Sequence, residues 1–203
     1  MPSLNEVKML GGIGSLLTLL WIVPSVGGVL AIIGLVLTLV AVKYASDIFG
    51  DPKIFTHMLY AVILGIVGLV IGVAVVASAV FSAFGLGAMM GSMAGSFMAS
   101  PPTLTPGGVA SLLGGVVLGL AALWICFILS AIFLRRSYTE LGKRLDVGLF
   151  GTGALLYLIG AALTIIIVGL ALIFIADILF LVAFFSINTQ AMPTPPPPPQ
   201  PTM

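Results

Sequence analysis

Residues 9–42 read MLGGIGSLLTLLWIVPSVGGVLAIIGLVLTLVAV, and this stretch contains no Asp, Glu, Lys or Arg. A helix that spans a bilayer needs about 20 apolar residues, so the stretch is too long for one comfortable helix. Pro24 lies near its middle and is followed by Gly27 and Gly28. A proline close to two glycines is typical of a turn. The stretch therefore predicts two membrane helices joined by a tight turn.

Long uncharged stretches make up most of the remaining chain as well. Residues 54–134 contain no Asp, Glu, Lys or Arg, and residues 147–203 contain only Asp177. Hydrophobic residues make up 61% of the 203 residues and charged residues only 6%, whereas about a quarter of the residues in a soluble domain are charged. The sequence therefore predicts one all-α, polytopic membrane domain, with no second globular domain and no broad basic surface for nucleic acid.

The apolar stretches divide into six predicted membrane helices. The stretches at 9–42 and 147–187 are each divided into two, at Pro24 and at Gly169, although no proline or charge marks the second division. An alternative with four helices treats each of these stretches as one tilted helix. In the six-helix interpretation the helices lie at 5–23, 27–44, 55–83, 109–135, 149–167 and 169–187, with a Gly- and Met-rich outer loop at 84–108 and a disordered Pro-rich tail at 188–203.

The distribution of basic residues favours six helices over four. All seven Lys and Arg residues lie in three short polar segments, at the N-terminus, at 43–57 and at 135–146. With six helices and a cytoplasmic N-terminus, these segments all lie on the cytoplasmic side and the opposite loops contain no Lys or Arg, as the positive-inside rule requires. Four helices would place Lys8 on the other side. The sequence therefore predicts a multi-pass protein of the cell membrane with both termini in the cytoplasm.

Short sequence matches indicate that the first and last helix pairs are copies of one hairpin. GIGSLL at 12–17 matches GTGALL at 151–156, and LTLVAV at 37–42 matches LFLVAF at 179–184. The two matches have nearly the same offset along the chain. Such matches also arise by chance in apolar sequence. Both copies would begin and end on the same side of the membrane, unlike the inverted repeats found in many transporters.

Several segments carry a recognisable pattern. The chain has an LGGIGS start at 10–15, the proline–glycine break at 24–28, AVKYASD at 41–47 and DPKIF at 51–55. In these segments, and in the C-terminal GTGALLYLIGAALTIIIVGL and FLVAFFS, it resembles the domain of unknown function 996 family of small, mostly archaeal, multi-span membrane proteins. The resemblance covers residues 1–187 and implies a membrane domain, but it implies no activity.

Asp177 is the first candidate for a functional residue because it lies near the middle of predicted helix 6. A carboxylate at that depth costs about 2.5–3.5 kcal/mol on insertion scales, so it should face protein or a wet cavity rather than lipid. Tyr157 on helix 5 lies near the same level and could donate its hydroxyl. The pair predicts either an ion or proton site or a hydrogen-bonded clamp between helices. The clamp is favoured because carrier sites usually gather several polar groups.

Glycines at four-residue spacing predict close helix packing. Gly68 and Gly72 form one GxxxG pair in helix 3, and Gly115 and Gly119 form another in helix 4. Such pairs allow two helix backbones to approach closely inside a membrane. They predict either an interface between two copies of the protein or, as the favoured interpretation, packing of helix 3 on helix 4 within one chain.

The charged segments suggest contacts at the membrane surface. Contact with anionic lipid headgroups is predicted for the basic residues that follow helix 4, namely Arg135, Arg136, Lys143 and Arg144. His57, beside Lys53 at the start of helix 3, is more typical of a solvated helix end than of a ligand. The proline tail is interpreted as a spacer rather than as a docking peptide.

The sulfur-containing residues do not predict a metal site. Thioethers bind Cu(I), but no His or Cys accompanies the four methionines of the outer loop, Met89, Met90, Met93 and Met98. A flexible apolar loop or interfacial helix is favoured there, and a re-entrant pore element is the alternative. The single cysteine, Cys126, lies within an apolar stretch and is interpreted as a small core residue.

The sequence contains no set of residues that predicts an enzyme. A phosphate-binding glycine loop, a Ser–His–Asp set, paired carboxylates and an HExxH motif are all missing, and we expect no cofactor, metal or nucleic acid. The favoured interpretation is a non-enzymatic membrane protein that packs or assembles in the bilayer with itself or with a membrane partner. The alternative is a small transporter or channel that uses the intramembrane carboxylate Asp177.

Overall fold

The computed structural model describes residues 2–93, 106–166 and 168–189. Within these ranges, side chains are described at every position except residues 82–108 and 111. Every regular element in these ranges is helical, which confirms the predicted all-α class. A short 3₁₀ turn, Leu20–Ile22, follows the first of the six α-helices. The helices are α1 (Leu4–Leu19), α2 (Gly27–Phe49), α3 (Pro52–Met93), α4 (Pro106–Leu145), α5 (Leu149–Ala162) and α6 (Val168–Phe185).

Four of these helices are long and apolar enough to cross a membrane. They lie within α2, α3, α4 and α6 and cover Gly27–Phe49, Pro52–Phe81, Leu112–Leu145 and Val168–Phe185. At 1.5 Å per residue, α1 and α5 measure about 24 Å and about 21 Å, which is less than the roughly 30 Å thickness of the hydrocarbon core. The described part of the chain is therefore an all-helical fold of the kind expected in a membrane, and helix length alone supports four crossings.

The helices form a closed ring in chain order. Each helix packs against the next one along the chain, and α6 returns to pack against α1. The three hairpins α1–α2, α3–α4 and α5–α6 have the most extensive contacts, whereas α2 packs least closely against α3. The α2–α3 contact is therefore the least extensive of those between helices that follow each other in the chain.

Glycine and threonine bring the two helices of the α1–α2 hairpin into backbone contact. A Cβ atom at Gly14 would lie 2.5 Å from Thr38 Oγ1, and one at Gly34 would lie 2.6 Å from Thr18 Oγ1. No larger residue fits at either position without movement of the helices. At the turn between these helices Ser25 adopts a φ of 71°, next to Pro24. The predicted break of the N-terminal apolar stretch lies at this turn.

The α5–α6 hairpin has equivalent contacts at the positions of the predicted repeat. Gly153 of α5 packs against Phe180 of α6, as Gly14 packs against Thr38. The two glycines occupy the same position in the matched segments GIGSLL and GTGALL. Their partners likewise occupy the same position in LTLVAV and LFLVAF. The shared packing supports the interpretation of the two hairpins as copies.

The α3–α4 hairpin is packed through the predicted GxxxG pairs. A Cβ atom at Gly72 would lie 3.0 Å from Leu123 Cδ1, and one at Gly119 would lie 2.8 Å from Val76 Cγ2. Gly68 packs on Cys126, and Gly115 packs on Ala79. These contacts lie within one chain, so the structure favours the second of the two interpretations of the glycine pairs.

Two contacts bring the polar segments to one end of the molecule. Lys8 Nζ donates to the Ile187 carbonyl at 3.1 Å, and Arg144 Nη2 lies 3.2 Å from Asp51 Oδ2. The first contact joins the start of α1 to the end of α6, and the second joins the α2–α3 turn to the end of α4. We call this end of the molecule the charged end.

Several helix boundaries differ from those predicted. Helix α3 begins at Pro52 and continues to Met93, so residues 84–93 of the predicted outer loop are helical, and residues 94–105 lie outside the described ranges. Helix α4 begins at Pro106 and continues to Leu145, rather than running from 109 to 135. Residues 190–203 of the predicted tail also lie outside the described part of the chain.

The predicted break at Gly169 lies too late in the chain. Helix α5 ends at Ala162, the turn follows immediately, and Gly169 lies in the first turn of α6. A Cβ atom at Gly169 would collide with the carbonyl oxygen of Gly160. The glycine therefore allows α6 to pack closely on α5, and it does not form the turn.

Candidate functional site

A cavity of about 320 Å³ lies in the middle of the ring, and all six helices contribute to its lining. We call it the central chamber. Most of its lining is apolar, in keeping with a ligand site inside a helix bundle. Its polar lining residues are Ser15 and Thr18 of α1, Thr38 of α2, Tyr138 of α4, Tyr157 of α5 and Asp177 of α6.

Asp177 is buried, with 9% of its surface exposed, and among the described residues it is the only charged one in the lining of the central chamber. Within the described residues its carboxylate makes no hydrogen bond and no ion pair. In the described ranges, His57 Nδ1 is the one fully enclosed side-chain nitrogen or oxygen that lacks a hydrogen-bond partner, so the Asp177 oxygens are not fully enclosed. The unpaired Asp177 oxygens must therefore border the open space of the chamber.

The two tyrosines are held by aromatic packing. Tyr138 is 3% exposed and stacks on Phe180 with 4.3 Å between ring centroids. Tyr157 makes an edge contact with Phe127 at 6.1 Å. Across the described ranges neither hydroxyl makes a hydrogen bond. The structure thus places Tyr157 and Asp177 in one chamber, as the sequence suggested, but no hydrogen bond joins them.

The threonine hydroxyls of the chamber donate hydrogen bonds within their own helices. Thr18 donates to the Gly14 carbonyl and Thr38 donates to the Gly34 carbonyl, each at 2.9 Å and one helical turn away. Because each hydroxyl hydrogen is engaged locally, the lone pairs of its oxygen are left for another donor. As far as the structure describes it, the lining therefore combines a carboxylate and threonine acceptor oxygens with the hydroxyl groups of Tyr138 and Tyr157 and the indole of Trp21, and it contains no Lys, Arg or His. This chemistry suits a cation or a group that carries a proton.

Aromatic rings separate the central chamber from the charged end. Phe180 and Phe184 follow Asp177 along α6 towards that end, and they pack with Tyr138 and Phe150. All four rings are buried, with at most 5% of their surface exposed. At the opposite end, Trp21 and Leu170 line the chamber close to the turns that follow α1 and α5. The chamber is therefore closed more firmly towards the charged end.

Comparison with known proteins identifies the family. The sequence profile described as "Protein of unknown function (DUF996)" matches residues 30–178, which include Tyr138, Tyr157 and Asp177. The chain belongs to the DUF996 family. A curated relative is the "Uncharacterized protein MJ1644" of Methanocaldococcus jannaschii, which is 37% identical over 184 residues, covering 91% of this chain and 93% of the relative. No solved structure matches this DUF996 protein.

The predicted lipid-contacting residues of the DUF996 protein lie at the charged end. Arg135 and Arg136 are exposed, and the Arg136 guanidinium lies over Phe133 at 5.7 Å. Lys143 pairs with Glu140 at 3.0 Å, and Arg144 pairs with Asp51. Two of the four basic side chains are therefore engaged in ion pairs, and contact with anionic lipid stays a prediction.

The remaining candidates lie away from the central chamber. His57 is half-buried in the first turns of α3, with its Nδ1 enclosed and its ring 6.2 Å from that of Phe133. Among the described residues, no group of three His, Cys, Asp or Glu could hold a metal. Met89, Met90 and Met93 lie on α3, whereas Met98 falls outside the described ranges.

Sequence reasoning missed Tyr138 and the chamber hydroxyls. Tyr138 lies in the charged segment beyond the predicted end of helix 4. A helical spacing from Phe127 through Leu134 to Tyr138 places all three on one face of α4, and this spacing is visible in the sequence. Thr18 and Thr38 each follow a glycine by four residues, which is the pattern of their packing contact.

Proposed function

We propose that this DUF996 protein is a non-enzymatic, multi-pass protein of the cell membrane that binds and releases a proton or a cation at Asp177. The observation that carries the proposal is the carboxylate without a protein partner, among the described residues, in a chamber that all six helices line. Release of the bound species to either side of the membrane would make the protein a small transporter or channel.

The membrane topology is part of the proposal. Six membrane-inserted helices with both termini in the cytoplasm would place all seven basic residues on one side, in agreement with the positive-inside rule. The contacts of Lys8 with Ile187 and of Arg144 with Asp51 support this topology, because the first joins the N-terminal polar segment to the end of α6 and the second joins the other two polar segments. The central chamber would then open towards the outer side.

Within the described ranges Asp177 has no hydrogen-bond or ion-pair partner, which favours binding and release of a proton or cation over a structural clamp. Serine hydroxyls do clamp α4 to α3, since Ser130 donates to the Ala61 carbonyl and Ser137 donates to the Ile54 carbonyl, both at 2.7 Å. Asp177 forms no comparable bond there. An ionisable side chain at this depth is costly and usually marks an ion or proton pathway. A chamber rich in acceptor oxygens supplies the further polar groups that such a site needs.

Assembly with a second copy or a membrane partner is the interpretation that the sequence favours, and it has less support from the structure. The glycine pairs that suggest an interface are occupied within the α3–α4 hairpin. The bilayer remains the one partner on which the present proposal depends. The non-enzymatic character is part of the proposal, because the described lining of the chamber contains no His, Lys or Cys and no second carboxylate.

Flux measurements in proteoliposomes test the proposal. We expect vesicles that contain the wild-type protein to take up protons or monovalent cations faster than protein-free vesicles. Asp177→Asn should reduce the flux to the protein-free level, because the amide keeps the shape of the side chain but carries no charge. Asp47→Asn is the matched control, since it makes the same change at an exposed position on α2 near the charged end, and it should leave the flux unchanged.

Two results would contradict this function. One is a wild-type flux no higher than that of protein-free vesicles for protons and for every cation tested. The other is an Asp177→Asn variant that folds and retains the wild-type flux. Thermal unfolding of both variants in detergent verifies that they are folded.

A further inference from the structure

An apolar groove lies beside the central chamber and is open at the side of the molecule. It has a volume of about 410 Å³ and is lined by residues of α2, α3, α4 and α5. Five residues line both the groove and the chamber: Leu35, Met58, Phe127, Leu134 and Tyr157. Most of its lining comes from α3 and α4, whereas α2 contributes Leu35 and α5 contributes Tyr157. The two cavities therefore adjoin along these five side chains, and one of them has a polar lining and the other an apolar one.

The dimensions of the groove match one leaflet of a bilayer. Its lining on α3 extends from Met58 to Leu69, a distance of about 16 Å at the helical rise of 1.5 Å per residue. Half of the hydrocarbon core of a bilayer is about 15 Å thick. Ile66 and Leu69 line the groove and are 55% and 57% exposed. The groove is therefore long enough for one hydrocarbon chain and open to the surface that lipid would cover.

The charge of the combined space determines which head group fits. Among the described residues, Asp177 is the only charged one that lines either cavity, and neither lining contains Lys, Arg or His. A phosphate or sulfate head group would lie near the carboxylate with no basic residue to compensate it, and buried unpaired charges are costly. An ammonium head group would instead find one carboxylate and several acceptor oxygens.

We propose that the combined space binds a long-chain amine, with its ammonium group in the central chamber at Asp177 and its hydrocarbon chain in the groove. This inference rests on the proposed function, because it names the chemical class of the cation that Asp177 binds. The amine enters sideways from the lipid at the exposed part of the groove, beside Ile66 and Leu69 of α3, and its head group then reaches the chamber. Gly65 is the position that leaves room for the chain, since a Cβ atom there would meet only Ser130 Oγ, at 3.6 Å.

Binding of two radiolabelled amines to the full-length protein in lipid nanodiscs tests this inference. Dodecylammonium has the proposed head group and chain, whereas methylammonium has the head group alone. We expect both to bind saturably to the wild-type protein, and dodecyl sulfate not to compete. Gly65→Leu fills the groove and should raise the half-saturating amount of dodecylammonium at least tenfold, with methylammonium binding unchanged. Asp177→Asn should weaken the binding of both amines at least tenfold.

Matched variants separate occlusion of the groove from damage to the fold. Gly114→Leu makes the same substitution on α4 at a site with nothing within 4 Å, and it should bind both amines as the wild type does. If Gly65→Leu fails to fold, Ile66→Trp narrows the groove from its exposed rim and should have the same selective effect. Every variant is measured in the same lipid, so the same share of dodecylammonium partitions into the bilayer each time. This share cancels when the half-saturating amounts of two variants are compared.

The possible failures distinguish the two proposals. Wild-type binding of dodecylammonium by both Gly65→Leu and Ile66→Trp would overturn the groove assignment and leave the cation site at Asp177 intact. Competition by dodecyl sulfate would overturn the assignment of an amine head group. Binding of methylammonium by Asp177→Asn as strong as that of the wild type would refute the cation site itself.

Discussion

The α3–α4 hairpin and the central chamber differ in whether their polar side chains are hydrogen-bonded to another helix. In the hairpin, Ser130 and Ser137 donate hydrogen bonds across the helix interface, and glycines allow the two backbones to touch. In the chamber, the polar atoms of Asp177, Tyr138 and Tyr157 have no partner among the described residues. A polar group inside a membrane protein is normally satisfied by another helix. The chamber is the region where this rule is relaxed, so it is the region where a ligand is expected.

The largest effect on stability should come from a bulky side chain at the close contact between α3 and α4. Gly119→Leu would place a side chain where even a Cβ atom lies 2.8 Å from Val76 Cγ2 and 3.1 Å from the Gly72 carbonyl oxygen. Overpacking of this kind costs about 1–3 kcal/mol. We expect a loss of that size in the free energy of unfolding, measured by denaturant titration in mixed micelles. Gly114→Leu on the same helix is the control, and an equal loss in both variants would show that the close contact is not the cause.

A smaller loss is expected from Ser137→Ala. Ser137 is fully buried, and its hydroxyl donates to the Ile54 carbonyl at 2.7 Å. A hydrogen bond between membrane helices contributes about 0.6–2 kcal/mol. The same unfolding experiment should show a loss within that range. A variant as stable as the wild type would mean that the hairpin is held by its glycine contacts alone.

The smallest effect on stability is expected from Tyr157→Phe in the chamber. Its hydroxyl has no hydrogen-bond partner in the described part of the protein, so its removal leaves no protein group unsatisfied. The free energy of unfolding should change by less than about 0.5 kcal/mol, in the range of substitutions that disturb no specific contact. A loss as large as that of Ser137→Ala would show that the chamber is as fully hydrogen-bonded as the hairpin.

Part of this architecture could be predicted from the sequence, because charge and helix breakers are local signals. The polar segments that meet at the charged end are evident directly from the positions of Lys and Arg. The sequence predicts that Asp177 faces protein or a wet cavity because a carboxylate exposed to lipid is costly, and the structure places it at the central chamber. The packing of Gly72 and Gly119 follows from their spacing in the same way.

The ring and the chamber could not be predicted, because membrane helices lack a polar outer face that would show which side is buried. Exposed positions such as Val70 and Leu118 are as apolar as buried ones, so the pattern of α3 and α4 does not reveal their neighbours. The same limitation explains the misplaced break at Gly169. A glycine that permits close packing and a glycine that forms a turn look alike in an apolar stretch.

The central claim is that the Asp177 carboxylate is free and accessible from the chamber, and chemical modification tests it most directly. An apolar carbodiimide such as dicyclohexylcarbodiimide couples to unpaired carboxyl groups inside membranes, and mass spectrometry of the digested protein locates the adduct. We predict modification at Asp177 that methylammonium slows and that is lost in Asp177→Asn. Two results would contradict the account. One is that Asp177 stays unmodified while the exposed Asp47 reacts with a water-soluble carbodiimide. The other is that methylammonium does not change the rate at which Asp177 is modified.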